Sequence, residues 1–571
     1  MSILKNPFLI AAVEKIALRA EYRDTSPNIY IDNGQISKLN SDDNQIIYGR
    51  RGTGKTHLLQ AYQSNPKRKT LPVYMDLRKT LDAPVKQESQ PEVASIVSLK
   101  CFQQIVTILA ETYQLYLDKL IRSDEYSIEG TPDVIIDLIA RLVDLAKGEW
   151  QMAELIEHSD SFAMERSNTD VEGYNGKVIA SKSPTLELGI SNTSTSQQKE
   201  NLNTASKLKG ELRLPFSKII STLEEINRNL SLTRTVLLLD EWSTLPLDIQ
   251  PYLAEWLKRS FMASPKFTLK LACIRYQSNF SFNSQSSKVG FEVGGDIFVG
   301  VDLDDILVFD KNKSAVTYFF ARLLYNHLTD AHSILADPEG NQSRFTNDIF
   351  SERRAFEELI KASEGIPRDF LYIFTSSFRK SQEHPTWKSI GVPAIVDSAK
   401  DFFHRDKLRD AKPELQEIME TLVREVIKHR KVKAFLVPQR LSSSITLQEL
   451  MTARLLHRWH VGYAAKSGEV GERYDIYAID YGAYVDLRET SIGRELEESM
   501  FEDQYDVGDV PPTIDKRAVR HIVLDEQLLE KFDQILEGSI ECPKCSTRFS
   551  AKQRSFIIKR LCPNCFEHVS I

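Results

Sequence analysis

The octapeptide Gly49-Arg50-Arg51-Gly52-Thr53-Gly54-Lys55-Thr56 constrains this chain more than any other stretch of its sequence. It fits the pattern G-x-x-x-x-G-K-[ST] and stands between a strand-like run, Gln45-Ile46-Ile47-Tyr48, and a helix-like run beginning near Lys55. Glycines at these spacings let consecutive backbone N–H groups curl around phosphate oxygens, and the N-terminus of the following helix faces the same anion. Lys55 is expected to reach the β- and γ-phosphates of a nucleotide, and Thr56 a Mg²⁺ ion. A chance glycine turn has no reason to sit between a strand and a helix. That order is how a parallel α/β domain opens.

Leu71-Pro72-Val73-Tyr74-Met75-Asp76 reads as the second strand. Thr235-Val236-Leu237-Leu238-Leu239 reads as a central one, because a continuous apolar run suits a strand covered on both faces. It ends in Asp240-Glu241, so both carboxylates are expected at the carboxyl edge of the sheet, where open α/β folds bind ligands. Asp240 is the candidate Mg²⁺ ligand, and Glu241 the candidate catalytic group that orients and polarises an attacking water. Alone, an Asp-Glu pair after an apolar strand is commonly a helix cap or a surface pair; beside a complete glycine motif it becomes the second nucleotide motif. Helices are expected at Pro215 to Leu230 and Asp248 to Met262, with a further strand at Thr268 to Ile274. Apolar residues at helical spacing over Val93 to Ile121 and Thr131 to Ala146 predict an inserted helical unit. From about Ser159 to Gly210 the chain is rich in Ser, Thr, Asn, Gln and Lys, a composition expected of a mobile loop.

A third feature is Gly365-Ile366-Pro367-Arg368, where the proline suits a first helical turn from which Arg368 projects. Together these motifs resemble the AAA+ ATPases, and among them the origin-recognition and initiator-like ATPases and the related STAND ATPases. The resemblance runs over roughly Asn28 to Leu487. It implies a P-loop ATPase that binds and hydrolyses ATP with Mg²⁺, with Arg368 as a second sensor near the γ-phosphate. It also implies an adenine pocket around Tyr30 and Ile31 and a first-sensor position at Arg275, where such proteins usually carry Asn or Thr. No arginine occurs between Tyr276 and Ala321, where the family's arginine finger normally stands. Arg259 is the substitute in reach; without one the chain reads as a nucleotide switch and not as a ring motor.

Beyond the lid, the segment resembles a winged helix, with a helix from Glu414 to Lys428, an apolar run Ala434 to Val437, and a second helix opened by Thr446-Leu447-Gln448-Glu449 as a capping box. Leu447, Leu450, Met451 and Leu455 form one stripe, leaving Arg454 and Arg458 on another face. Trp459 to Ala464 and Tyr474 to Tyr481 flank Lys466-Ser467-Gly468-Glu469 like a hairpin wing. Initiator-like ATPases carry a DNA-binding winged helix here, whereas from the residues alone a small packing domain with a solvated basic face is an equal reading.

Of six cysteines, Cys101 and Cys273 stand alone, while Cys542-Pro543-Lys544-Cys545 and Cys562-Pro563-Asn564-Cys565 are two knuckles with sixteen residues between them. Four thiolates at this spacing predict a structural, tetrahedral Zn²⁺ site, with His568 outside it. The net charge of −7 gives no overall attraction to nucleic acid. Basic residues nevertheless concentrate locally, six Lys or Arg against one acid from Cys542 to Ile571, with Lys552, Arg554, Lys559 and Arg560 between the knuckles. No apolar run has signal-peptide or membrane-span character, so a cytoplasmic protein is expected.

The expected fold class is therefore α/β: a parallel-sheet P-loop AAA+ core, a helical lid, a winged-helix-like domain and a zinc ribbon. The expected boundaries are an N-terminal segment at 1–43, the core at 44–310 with an insert at about 84–212 and the lid at 311–405. The winged-helix-like domain follows at 406–490, a linker at 491–537 and the ribbon at 538–571. The expected function is a nucleotide-dependent DNA-binding switch, contacting DNA through the winged helix or the ribbon. The alternative is a STAND-like signalling or defence ATPase that assembles with itself or with a protein partner.

Overall fold

A computed structural model describes residues 3–22, 29–80, 91–123, 129–155, 175–180, 184–189, 207–283, 288–309, 312–336, 342–428, 433–464, 471–486, 523–536, 539–545, 548–550, 560–562 and 564–569. The chain divides into two compact units. One, the sheet unit, comprises Asp32–Gly49 and Lys55–Asp302; the other, the helical unit, comprises Met1–Ile31, Arg50–Gly54 and Leu303–Ile571.

The sheet unit contains strands β1 (Gln45–Tyr48), β2 (Thr70–Asp76), β3 (Glu149–Leu155), β4 (Asn175–Ala180), β5 (Pro184–Gly189), β6 (Lys207–Arg213), β7 (Arg234–Asp240), β8 (Phe267–Cys273), β9 (Ser281–Asn283), β10 (Lys288–Gly290) and β11 (Phe298–Asp302). Five of them form a sheet in the order β11-β1-β8-β7-β2, and every pairing is parallel. Every residue of β1 and β8, and all but the first of β7, is buried, as expected of strands with helices on both faces. β11 is absent from the sequence expectation because its pattern is not that of a core strand. It lies at the edge, Phe298 and Val299 are each 47 % exposed, and Gly300 lets the chain pass against Gln45.

The helices Pro91–Arg122 and Pro132–Lys147 pack on each other and close the sheet's core with Phe102, Ile105, Leu109, Tyr113, Ile135 and Leu142. Ala94–Arg122 is the one described helix with the length and apolarity of a membrane span, but its buried face belongs to this core. The polar stretch expected to be a loop contains β4 and β5 and leads into β6; with β3 they form an antiparallel sheet in the order β3-β6-β5-β4. Composition averaged over fifty residues masks the period-two alternation of Lys207-Leu208-Lys209-Gly210-Glu211-Leu212-Arg213. The remainder of that stretch, 156–174, 181–183 and 190–206, lies outside the described residues.

The helical unit contains the helices Pro7–Tyr22, Lys313–Ala331, Gln342–Ile349, Arg353–Ala362, Pro367–Glu383 and Val392–Phe402 around one core. Its centre is aromatic: Phe320 lies 4.6 Å from Phe370, and Phe350 5.2 Å from Phe356, ring to ring. Helix Pro413–Leu422 continues as a wider turn through Val423–Lys428. It leads to an antiparallel sheet of β12 (Ala434–Pro438), β13 (Leu456–Tyr463) and β14 (Tyr474–Ile479), with β14 central. Helix Ile445–Thr452 precedes β13, and helix Glu526–Leu536 precedes the hairpin of β15 (Ser539–Glu541) and β16 (Arg548–Ser550).

Two expectations are corrected here. The helix starts at Ser444, whose hydroxyl accepts from the Leu447 N–H, and not at Thr446. It also ends at Thr452, so Arg454 and Arg458 do not share a helical face: Arg454 has a left-handed φ of +61° and Arg458 lies in β13. The left-handed residue at Arg454 breaks the helical pattern, and the chain enters β13 at Leu456 with Leu455 and Leu456 both buried. The turn carrying Lys466 and the linker 491–522 lie outside the described residues, as do Lys552, Arg554 and Lys559.

From the middle of β8, level with the first residue of β1, the fully buried side chain of Lys270 donates to Ser41 O, Asp43 O and Gln45 Oε1 at 2.7–2.8 Å. All three ammonium protons are therefore used. Lys270→Met fills the same volume but orphans these acceptors, and should lower unfolding stability by about 2–4 kcal/mol in a denaturant titration.

Candidate functional site

In the sheet unit, β1 passes directly into Gly49, and the helix Lys55–Ser64 begins at Lys55. The register sets Tyr48 level with Cys273, and Asp76 level with Asp240. All strands are parallel, so the start of the glycine loop and the ends of β2 and β7 leave at one carboxyl edge. Lys55 Nζ lies 2.7 Å from Gly49 O, folded back over the loop it follows.

Asp240 is almost wholly buried, and both its oxygens are oriented: Oδ2 accepts from Tyr74 O–H at 2.9 Å and Oδ1 from the Glu241 N–H at 2.9 Å. Burial, and then the Asp240 charge, push the Tyr74 phenol well above its ordinary pKa, so Tyr74 stays a donor. Glu241 adopts φ +59°, a left-handed conformation uncommon outside glycine and asparagine, which turns the chain away from the strand immediately after Asp240. Its carboxylate lies 4.0 Å from Arg78, which also grips Asp76 at 2.9 and 3.1 Å. Burial works against the Asp76 carboxylate, yet the hydrogen bonds from Arg78 hold it below the usual range. Tyr74 and Arg78 were not identified from the sequence. Their relevance follows from the β2–β7 register, which joins segments more than 160 residues apart.

The first-sensor candidate and the substitute arginine finger are both tied down. Arg275 pairs with Asp302 at 2.5 Å and lies 4.0 Å over the Tyr48 ring. Arg259 pairs with Glu255 at 3.1 Å and lies 5.4 Å over Phe216. Cys101 and Cys273 are buried and form no disulfide, and the Cys101 thiol lies 3.8 Å from Thr80 O.

In the helical unit, Arg50–Gly54 packs against the start of helix Pro367–Glu383. The Arg368 N–H donates to Gly52 O at 3.3 Å, and a Cβ on Gly52 would stand 2.9 Å from Arg368 Cβ. Gly52 is thus required both for its φ of +87° and for the close approach of Arg368. Thr53 closes the loop by donating from its backbone and hydroxyl to Arg50 O. Arg51 is exposed, while Ile31 is buried in the helical core with Tyr30 half-buried beside it.

Arg50 enters a chain of buried charges. Its backbone N–H and Nε each donate to Asp304 Oδ1 at 3.0 Å, and its Nη1 meets His457 Nδ1. His457 Nε2 lies 2.8 Å from Asp480 Oδ2, which also takes Lys407 Nζ at 2.6 Å. Lys407 lies 3.6 Å from Asp369, the neighbour of Arg368, and Asp369 pairs with Arg454. Arg454 is therefore occupied inside the protein. Burial pulls His457 down from 6.5 to about 4, against the opposing hydrogen bond to Asp480. The neutral ring donates from Nε2 to Asp480 and accepts from Arg50 at Nδ1.

Near the C-terminus the Sγ atoms of Cys542, Cys545, Cys562 and Cys565 all lie within 4.8 Å of one another, with Cys542–Cys565 at 3.5 Å and Cys545–Cys562 at 3.6 Å. Sulfurs bound tetrahedrally at about 2.3 Å from a zinc ion stand roughly 3.8 Å apart. The cluster can therefore hold a metal such as zinc, with no ligand position left for water or substrate.

No protein-family profile matches this chain, and no curated protein matches it. The established result is accordingly an α/β fold with a five-stranded parallel sheet and a four-cysteine centre.

Two outcomes follow from this geometry. Since the folded His457 has its pKa depressed, the unfolded chain binds more protons between pH 6.5 and about 4, and stability falls as pH drops through that window. Between pH 7 and 5 the loss should be roughly 2 kcal/mol, seen as a declining thermal midpoint, and His457→Gln should be less stable at pH 7 but flatter with pH. For the thiol centre, atomic emission should find one zinc per chain, and Cys562→Ser should lose it without lowering the main unfolding transition.

Proposed function

We propose that this chain is an ATP-binding and ATP-hydrolysing switch of the AAA+ kind. The observation that carries the reading is the shared carboxyl edge of the parallel sheet, where the glycine loop begins and Asp240-Glu241 ends. In this reading the backbone N–H groups from Gly49 to Gly54 cradle the phosphates, and Lys55 neutralises the β- and γ-phosphates. Thr56 and Asp240 would hold Mg²⁺, which spreads the charge developing on the phosphate oxygens. Glu241 orients and polarises the attacking water. In the same reading Arg368, which rests against Gly52, would read the γ-phosphate as a second sensor. Support for the winged helix comes from the order helix, β12, helix, β13, β14 with β13 and β14 antiparallel.

The STAND-like reading is favoured by one observation of its own. His457, in the small C-terminal sheet, grips Arg50 of the glycine loop, the contact expected of a domain that regulates nucleotide release. The origin-like reading needs a basic face on DNA, and Arg454 is spent on Asp369. We therefore place nucleotide-dependent assembly or engagement at the centre of the function, with nucleic acid met outside the helix Ile445–Thr452.

Lys55→Ala should abolish ATP binding in calorimetry. Glu241→Gln should keep it and lose hydrolysis by about 100-fold or more, the scale of a lost general base. Equal loss of affinity in both variants would contradict the assignment. Arg368→Ala should slow turnover, or block an ATP-dependent change in native mass, with the thermal midpoint kept.

A further inference from the structure

The second knuckle of the cysteine centre carries a residue whose presence the fold does not explain. Phe566 follows Cys565 directly, adopts φ +55° and leaves 68 % of its surface exposed. A left-handed backbone costs a bulky side chain on the order of 1 kcal/mol, which glycine avoids. The exposed ring contributes nothing to the small cluster of Cys542, Cys562 and Val569 beneath it. Glycine would be better on both counts. The surrounding hairpin is complete without the ring: Cys562 N–H donates to Glu567 O, Phe566 N–H to Cys562 O and Val569 N–H to Arg560 O. Phe566 thus sits at the tip, with the exposed Arg560 and His568 at its base.

The charge of this region says what the ring meets. From Cys542 to Ile571 there are six Lys or Arg against one acid, on a chain whose net charge is −7. The two negative charges of a tetrathiolate zinc centre offset less than half of that excess. An exposed aromatic ring with an exposed arginine at its base, in a stretch of net positive sequence charge, suits a polyanion that also offers flat apolar faces, which is an unpaired nucleic-acid strand. In a duplex the base faces are already stacked on each other and cannot take the ring.

We propose that the cysteine ribbon is a single-strand nucleic-acid contact in which Phe566 stacks on a base while Arg560 holds a phosphate. The proposal rests on the nucleic-acid part of the proposed function and is independent of its ATPase part.

The test uses the full-length, zinc-loaded chain and a labelled twenty-nucleotide oligo-dT, with a duplex of equal length as comparison, followed by fluorescence anisotropy across a salt series. Wild type should prefer the single strand. Phe566→Gly should bind it roughly tenfold or more weakly with its salt dependence unchanged, because no charge is removed. Phe566→Trp should retain binding, and Arg560→Ala should shallow the salt slope by about 0.7. Zinc content and the thermal midpoint of Phe566→Gly should equal or exceed those of wild type, which separates a lost contact from a lost fold. Undiminished binding by Phe566→Gly, an equal loss on duplex, or no oligonucleotide binding by wild type would each overturn the proposal. ATP turnover on the same preparations reports on the ATPase reading separately: a Lys55→Ala chain that still hydrolyses ATP sinks that reading and leaves the Phe566 result standing.

Discussion

The helical unit turns on Asp480. This buried carboxylate takes Lys407 at 2.6 Å and His457 at 2.8 Å, and through them it fixes Arg50 on one side and Asp369 on the other. Charges this deep persist only when each has a partner, since an unpaired one costs several kcal/mol. Burial keeps the ring of His457 neutral against the pull of Asp480, and the bond to Asp480 sets its tautomer. Arg50 and Gly52 are two residues apart, yet they meet opposite ends of this chain: Arg50 meets His457 on β13, and Gly52 meets Arg368 beside Asp369. The loop segment is gripped at two points that a single buried network connects.

The sheet unit reflects a different constraint. A fully parallel sheet must be covered on both faces, and its ligand-binding groups can gather only where the strands end together. β7 delivers Asp240 and Glu241 to that edge, and β2 delivers Asp76 and, from within, the Tyr74 hydroxyl that aims Asp240. At the opposite edge, the chain entering β1 holds the Lys270 ammonium on three acceptors, a polar closure with no chemistry in view. The two edges divide the labour between holding the sheet and presenting carboxylates.

Legibility in the sequence followed the range of the interactions involved. β1, β2, β7, β8 and the helix at Lys55 were readable because their patterns are local, as were the four cysteines in their paired spacing. β11 escaped because an edge strand with Gly300 and half-exposed Phe298 lacks a core pattern, and β6 because its alternation lay within a polar stretch. Arg454 and Arg458 illustrate a different failure. At helical spacing they share a face, but the left-handed turn at Arg454 ends the helix and puts Arg458 in a strand. His457 offered no local signal at all. Its place is set by Asp480 and Arg50, two partners that no periodicity links.

The helix Pro91–Arg122 has 32 residues, which at the usual rise is about 48 Å, roughly twice the length of a seven-residue strand of the sheet it covers. Its inner face stays in the core along most of that length, from Phe102 and Ile105 through Tyr113 to Leu117, while Leu115 and Ile121 on the outer face are exposed. Tyr113, well past the middle, is also pinned by its hydroxyl to Asn227 at 2.8 Å. The helix is thus a clamp fastened at several turns, and cutting it short would open the core instead of trimming an overhang.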